Sequence, residues 1–137
     1  MTRREQRDLA VVLLYQADIQ KEPPQYVLDI YCEEYETAEA ELTFTKAELF
    51  GTFERIGEID SVIASSSKGW TNDRISRVAM AILRLAVYEM TFSGDIPVSV
   101  AINEAVELAK KYEDEKIAAF INGVLSDVVK KQLKVNN

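Results

Sequence analysis

Between Ile75 and Met90 the chain reads ISRVAMAILRLAVYEM, and apolar residues occupy most of a helical wheel drawn through it. Ile75, Val78, Ala79, Ile82, Leu83, Ala86 and Met90 form one broad face, while Met80, Leu85 and Val87 lie outside its centre. A helix that is apolar on most of its sides has to be surrounded by other elements. The remaining apolar residues recur at three- and four-residue spacing, with no convincing alternating strand. The predicted fold is therefore all-α, with about six or seven helices packed around this segment. A chain of 137 residues can bury a sizeable core as a single domain, residues 1–137.

Local signals divide the rest of the chain. Thr2 and Glu5 in "TRRE" spell a capping box, and Leu9, Val12, Leu13 and Ala17 then share one helical face. Pro23 and Pro24 end that helix by removing two backbone donors. Tyr26, Val27, Ile30 and Tyr31 suggest a short second helix. "TKAE" at 45–48 repeats the capping-box spelling and predicts a helix carrying Leu49, Phe53, Ile56 and Ile63, broken by "SSSKG" at 65–69. Thr71 or Asn72 is expected to cap the apolar helix. Gly94 fits its C′ position, and Pro97 starts the next helix. Two further helices follow, separated near "YEDE". Val98, Ile102, Ala105, Ala109 and Tyr112 face inward on the first, with Asn103, Glu104, Glu107, Lys110 and Lys111 opposite. Ile117, Ile121, Val124, Leu125 and Val128 do so on the second.

Several function classes are disfavoured. The chain has no histidine, so His-based metal sites and Ser-His or Cys-His catalysis are absent. It has one cysteine, Cys32, and no phosphate-cradling glycine loop. The carboxylates of "CEEYETAEAE" read as a solvated acidic face. No catalytic residue, metal or cofactor is expected. No apolar run approaches membrane-spanning length and no signal peptide opens the chain, so the expected location is the cytoplasm. A net charge of −7 argues against coating nucleic acid by bulk attraction.

Three features stand out against that background. Arg3, Arg4 and Arg7 lie in the first turns of a helix, where the helix dipole favours anions, and suit phosphate contacts. Glu89 falls on the apolar side of its helix, so its charge needs a structural partner; the following turn and the helix start near Pro97 could offer backbone N–H groups. Gly123, in a helix interior, costs about 1 kcal/mol relative to Ala, which predicts close approach by a neighbouring helix or a ligand. Beside it Phe120, at the edge of the core stripe and expected to be half exposed, and Asn122, turned away from the core, could stack on and hydrogen-bond to unstacked RNA bases. Asn103 and Glu104 are expected to serve helix contacts or solvation instead.

The blocks "ILRLAVYEM" (82–90), "DIPVSVAINEAVELAKKY" (95–112) and "FINGVL" (120–125), with "RREQRDLAVVLLYQAD" at the amino end and Trp70 to Ile75, resemble the NusB family in order and spacing. The resemblance implies two small packed helical bundles in one domain, a subdomain of residues 1–66 and another of 67–137. It implies a non-enzymatic transcription antitermination factor that binds the boxA element of nascent ribosomal RNA. The partners implied are NusE, a ribosomal protein with which it forms a heterodimer, and the RNA polymerase antitermination complex. The free protein would be a monomer or homodimer. RNA contacts would fall on Arg3, Arg4, Arg7, Lys116, Phe120 and Asn122, and NusE contacts on Tyr15, Arg84 and Tyr88. A competing class is a helical adaptor or homodimerisation module without RNA recognition.

Overall fold

The computed structural model describes residues 1–67 and 75–136, the last four through the backbone alone. Among the described residues seven α-helices follow in order: α1 (Arg3–Gln20), α2 (Pro24–Glu34), α3 (Thr43–Glu54), α4 (Ile56–Ser66), α5 (Arg77–Thr91), α6 (Val98–Tyr112) and α7 (Glu115–Asn136). A 3-10 turn at Glu39–Leu42 leads into α3, and no described residue is in a strand. The fold is all-α, as the periodicity predicts.

The first capping box is present in full: the Glu5 N–H donates to Thr2 Oγ1, and the Thr2 N–H donates to the Glu5 carboxylate at 2.7 Å. Helix α1 ends at the cap residue Lys21, whose left-handed φ of 56° lets the following Glu22 N–H turn back to the Ala17 carbonyl at 3.1 Å. The second capping-box spelling is not a cap. Helix α3 starts two residues earlier, at Thr43, so Thr45 and Glu48 lie inside it and are buried. Its exposed N–H groups are served from another helix: Gln6 Oε1 accepts from Phe44 N at 3.1 Å and Thr45 N at 3.2 Å. The single helix expected from Leu49 to Ile63 is two, because Arg55 leaves the helical region (φ −111°, ψ 16°).

Helix α5 is capped by Ser76, whose hydroxyl accepts from the Ala79 N–H at 3.0 Å. Trp70, Thr71 and Asn72 lie outside the described residues. Beyond α5, Gly94 takes φ +80° two residues past the cap residue Phe92, one position later than expected, and Pro97 is the N-cap of α6.

Helix α5 is the centre of the molecule. Ala79, Leu83 and Val87 are wholly buried on one side and Leu85 is 2% exposed on another. It packs against α1, α3, α4, α6 and α7. Helix α6 approaches through small residues, Ala101, Ala105 and Ala109, while Val98 and Tyr112 stay at the exposed rim. Helix α2 is anchored by Val27 and Leu28, leaving Tyr26 and Ile30 outside the core.

Tight glycine packing occurs at a position other than the expected one. A Cβ built on Gly123 meets nothing within 4 Å, so no neighbouring helix requires the glycine there. At Gly51 a Cβ would sit 2.3 Å from Tyr88 Cζ. The Tyr88 ring lies across the α3 backbone in the space a side chain would fill.

Candidate nucleic-acid interface

The three amino-terminal arginines project from one turn of α1 into three different surroundings. Arg3 is exposed, with its guanidinium 4.4 Å from the centre of the Phe44 ring on α3. Arg4 turns to α6, where Nε and Nη2 donate to both oxygens of Glu104 at 2.9 to 3.2 Å. The Arg4 side chain remains 74% exposed and that of Glu104 only 14%. The Glu104 hydrogen bonds raise the Arg4 pKa further above its ordinary value. Glu104 is therefore an anchor for α1 rather than part of a solvated face.

Arg7 differs from the other two. It is 4% exposed, stacks 5.2 Å from the same Phe44 ring, and donates through Nε to Glu89 at 2.8 Å. The partner that Glu89 needed is thus an arginine 82 residues away, not the turn that follows α5. Arg7 is no freely presented phosphate ligand; its charge is committed to the core. Glu48 lies beside this pair at 2% exposure. Burial first, and then its hydrogen bond with Glu89 and that residue's charge, push its pKa up to about 10. Glu48 therefore favours its neutral form beside the Arg7–Glu89 pair, and its buried Oε1 has no hydrogen-bond partner among the described residues.

A second link joins α1 to α6. Asp8 accepts from Lys111 and from the Tyr112 hydroxyl. Asp8 raises the Lys111 pKa, while burial and then Asp8 raise that of Tyr112. Lys111 therefore pairs with α1 rather than with Glu107, which instead sits 3.7 Å from Lys110. The surface formed by the start of α1 and the outer side of α6 exposes Arg3 and Arg4 with their orientations set by Phe44 and Glu104.

The α7 candidates are arranged differently. Lys116 and Asn122 are exposed, and neither has an ion pair among the described residues. Phe120 is 9% exposed, so the half-exposed ring expected from the helical wheel is largely in the core. No direct bond among the described residues joins Lys116 or Asn122 to the arginines; α6, packed on α7, lies in the chain of contacts between them.

The other candidates lie on α1 and α5. Tyr15 is half-buried against the core. Arg84 donates to both Asp60 oxygens at 2.9 and 3.0 Å and lies 3.7 Å from Asp18. It lines a 390 Å³ cleft with Asp18, Phe53 and Ile56. Tyr88 packs on Gly51, and burial raises its pKa. Glu104 makes a helix contact, one of the two roles expected for it, but sequence reading missed Phe44, Asp8 and the identity of the Glu104 partner. Each acquires its role from a residue far away in the chain, so no local pattern marks it. Among the described residues no helix is long and apolar enough to cross a membrane.

Known proteins share this fold. Residues 4–130 match the NusB family. The transcription antitermination protein NusB of Acetivibrio thermocellus is 47% identical over 133 residues, covering 97% of this chain and 92% of that protein. The solution structure of NusB from Aquifex aeolicus superposes with a TM-score of 0.83 at 33% identity, over 98% of this chain and 92% of that one. A chain in the crystal structure of antitermination factors NusB and NusE in complex with dsRNA gives 0.82 at 32% identity, over 96% and 99%. With the sequence profile, the close relative and the fold in agreement over nearly its whole length, this chain belongs to the NusB family of transcription antitermination factors.

Proposed function

We propose that this protein binds the boxA element of nascent ribosomal RNA as a heterodimer with NusE, and so joins the RNA polymerase antitermination complex in the cytoplasm. On this reading it is a binding protein, not an enzyme. The observation that carries the proposal is the pair of exposed arginines at the start of α1, Arg3 over Phe44 and Arg4 on Glu104. Both guanidinium groups are oriented before any RNA arrives, which lowers the ordering cost of a phosphate contact. The NusB–NusE–dsRNA structure named above supports the choice of partners. Asn122 supplies an exposed amide for a base edge, and Lys116 a further cation. Phe120 supports the backbone beneath them, with at most its ring edge offered to a base. Tyr15, Arg84 and Tyr88 form the proposed NusE side. In the same reading residues 1–66 and 67–137 are the two helical subdomains.

The test measures binding to boxA and to a scrambled RNA, with and without NusE, across salt concentrations. Each phosphate contact on single-stranded RNA contributes about −0.7 to the slope of log K against log salt. Replacing Arg3 and Arg4 together with Ala is expected to flatten the slope by about 1.4 and weaken binding to both RNAs. Asn122→Ala is expected to reduce the preference for boxA. Unchanged affinity and slope in the folded double variant would remove the arginines from the interface. Equal binding of boxA and scrambled RNA by the unaltered heterodimer would instead favour an adaptor without RNA recognition.

A further inference from the structure

Helix α2 faces α1, α3 and the 3-10 turn with its buried residues Val27 and Leu28. Its outer face is not wholly polar. Tyr26 is 44% and Ile30 43% exposed, one helical turn apart, and Tyr35 just past the helix end is 60% exposed. The Tyr35 ring packs on Tyr31, 4.6 Å between centres. Single exposed apolar residues are ordinary, but Tyr26 and Ile30 adjoin on one face of a short helix, which needs a reason.

The charge around the patch limits what can cover it. Residues 22–45 contain seven Asp and Glu and no Lys or Arg. That equals the net charge of −7 for the whole chain, so the rest of the protein is neutral in sum. Among the described residues only Glu39 of these acids forms an ion pair, with Lys46. Asp29 accepts from Gln25, which also donates to Glu39. Glu33 and Glu34 remain exposed and without ion pairs among the described residues.

We propose that the outer face of α2 docks a basic, amphipathic protein segment, with apolar side chains covering Tyr26 and Ile30 and Arg or Lys pairing with Glu33 and Glu34. The exposed tyrosine rings also suit stacking by Arg. RNA is disfavoured because these carboxylates repel phosphate. A symmetric contact with a second copy would set the same acids against themselves. This inference stands on α2 alone and does not depend on the RNA reading.

The probe is a synthetic helical peptide with Arg and Leu on opposite faces, titrated into the full chain. One control peptide carries Glu for Arg, and another Ser for Leu. Fluorescence anisotropy gives affinity, and backbone amide shifts locate the contact. The Arg/Leu peptide is expected to bind with shifts concentrated in residues 25–36, more weakly as salt rises, while both controls bind far more weakly. Tyr26→Ser with Ile30→Ser, and separately Glu33→Gln with Glu34→Gln, should each weaken it about tenfold with an unchanged helical spectrum. Shifts elsewhere, full affinity in either double variant, or equal binding of the Ser control would overturn the proposal. So would a dimer in sedimentation that requires Tyr26 and Ile30, or loss of boxA binding in the same variants, which would assign the face to a second copy or to RNA.

Discussion

Two glycines, both in helices, carry opposite expectations at the level of single residues. Gly123 faces open space, so Gly123→Ala should gain helix propensity, about 1 kcal/mol, and raise the melting temperature. Gly51→Ala gains the same propensity but must displace the half-buried Tyr88 ring. Overpacking of this kind costs about 1–3 kcal/mol, so a net loss of stability is expected. Adding Tyr88→Leu to Gly51→Ala should restore part of that loss, and a thermal-denaturation double-mutant cycle measures the coupling. Additivity of the two changes would show that the ring is not the obstacle. Glu48 gives a pH-dependent expectation. Its folded pKa, raised to about 10, exceeds the ordinary carboxylate value, so the folded state holds the proton more tightly than the unfolded chain. Its contribution is fully present below the unfolded pKa and is lost as pH rises toward and through the folded value. The slope can reach about 1.4 kcal/mol per pH unit for one full proton. Arg7 opposes the loss, while Glu89 and Asp95 add to it. Glu48→Gln keeps the shape and a donor without the titration. Denaturant midpoints from pH 5 to pH 9 should therefore fall less steeply in the variant; parallel profiles would refute the assignment.

Between elements, the contact of α1 with α5 rests on a buried ion pair. Removing one partner of such a pair leaves an uncompensated charge and costs about 3–5 kcal/mol. Arg7→Ala is therefore expected to destabilise strongly, a large share of the roughly 5–15 kcal/mol that holds a domain together. Arg3 and Arg4 are exposed, so replacing both should cost far less than removing Arg7, through loss of the Arg4–Glu104 bond. An RNA assay on a variant lacking all three arginines would therefore confuse unfolding at Arg7 with lost contacts at Arg3 and Arg4. Thermal melts of Arg7→Ala beside Arg3→Ala/Arg4→Ala check the contrast. A stable Arg7→Ala variant would mean that water reaches Glu89.

Across the whole molecule, one core cluster joins Leu9 and Leu13 of α1, Leu49 of α3, Ile59 and Ile63 of α4, Leu83 of α5 and Leu125 of α7. Because α5 touches five other helices, neither the amino- nor the carboxy-terminal half closes its apolar surface without the other. Unfolding is expected as one transition, with far-UV and near-UV signals coincident. Leu83→Ala should cost about 2–5 kcal/mol and lower both signals together. Two separated transitions in calorimetry would instead show subdomains of independent stability.

Periodicity and local chemistry by themselves determined that the chain is helical, where α1 and α6 begin, and that residues 78–90 form the centre. These features depend on groups within a turn or two of one another, such as Thr2 with Glu5 or the apolar residues around α5. Family resemblance was legible for the same reason, in unbroken blocks of residues. Tertiary structure decided what each polar group meets. It separated three similar arginines into a stacked, a clamped and a buried one, gave the second capping-box threonine to Gln6, and placed the tight glycine at 51 rather than 123. Each outcome depends on groups tens of residues away, brought within a few ångströms only by packing around α5. A helical wheel gives the direction of a side chain relative to its own axis but not the neighbour waiting there. The same carboxylate can therefore be a solvated charge, an anchor like Glu104 or a protonated core acid like Glu48.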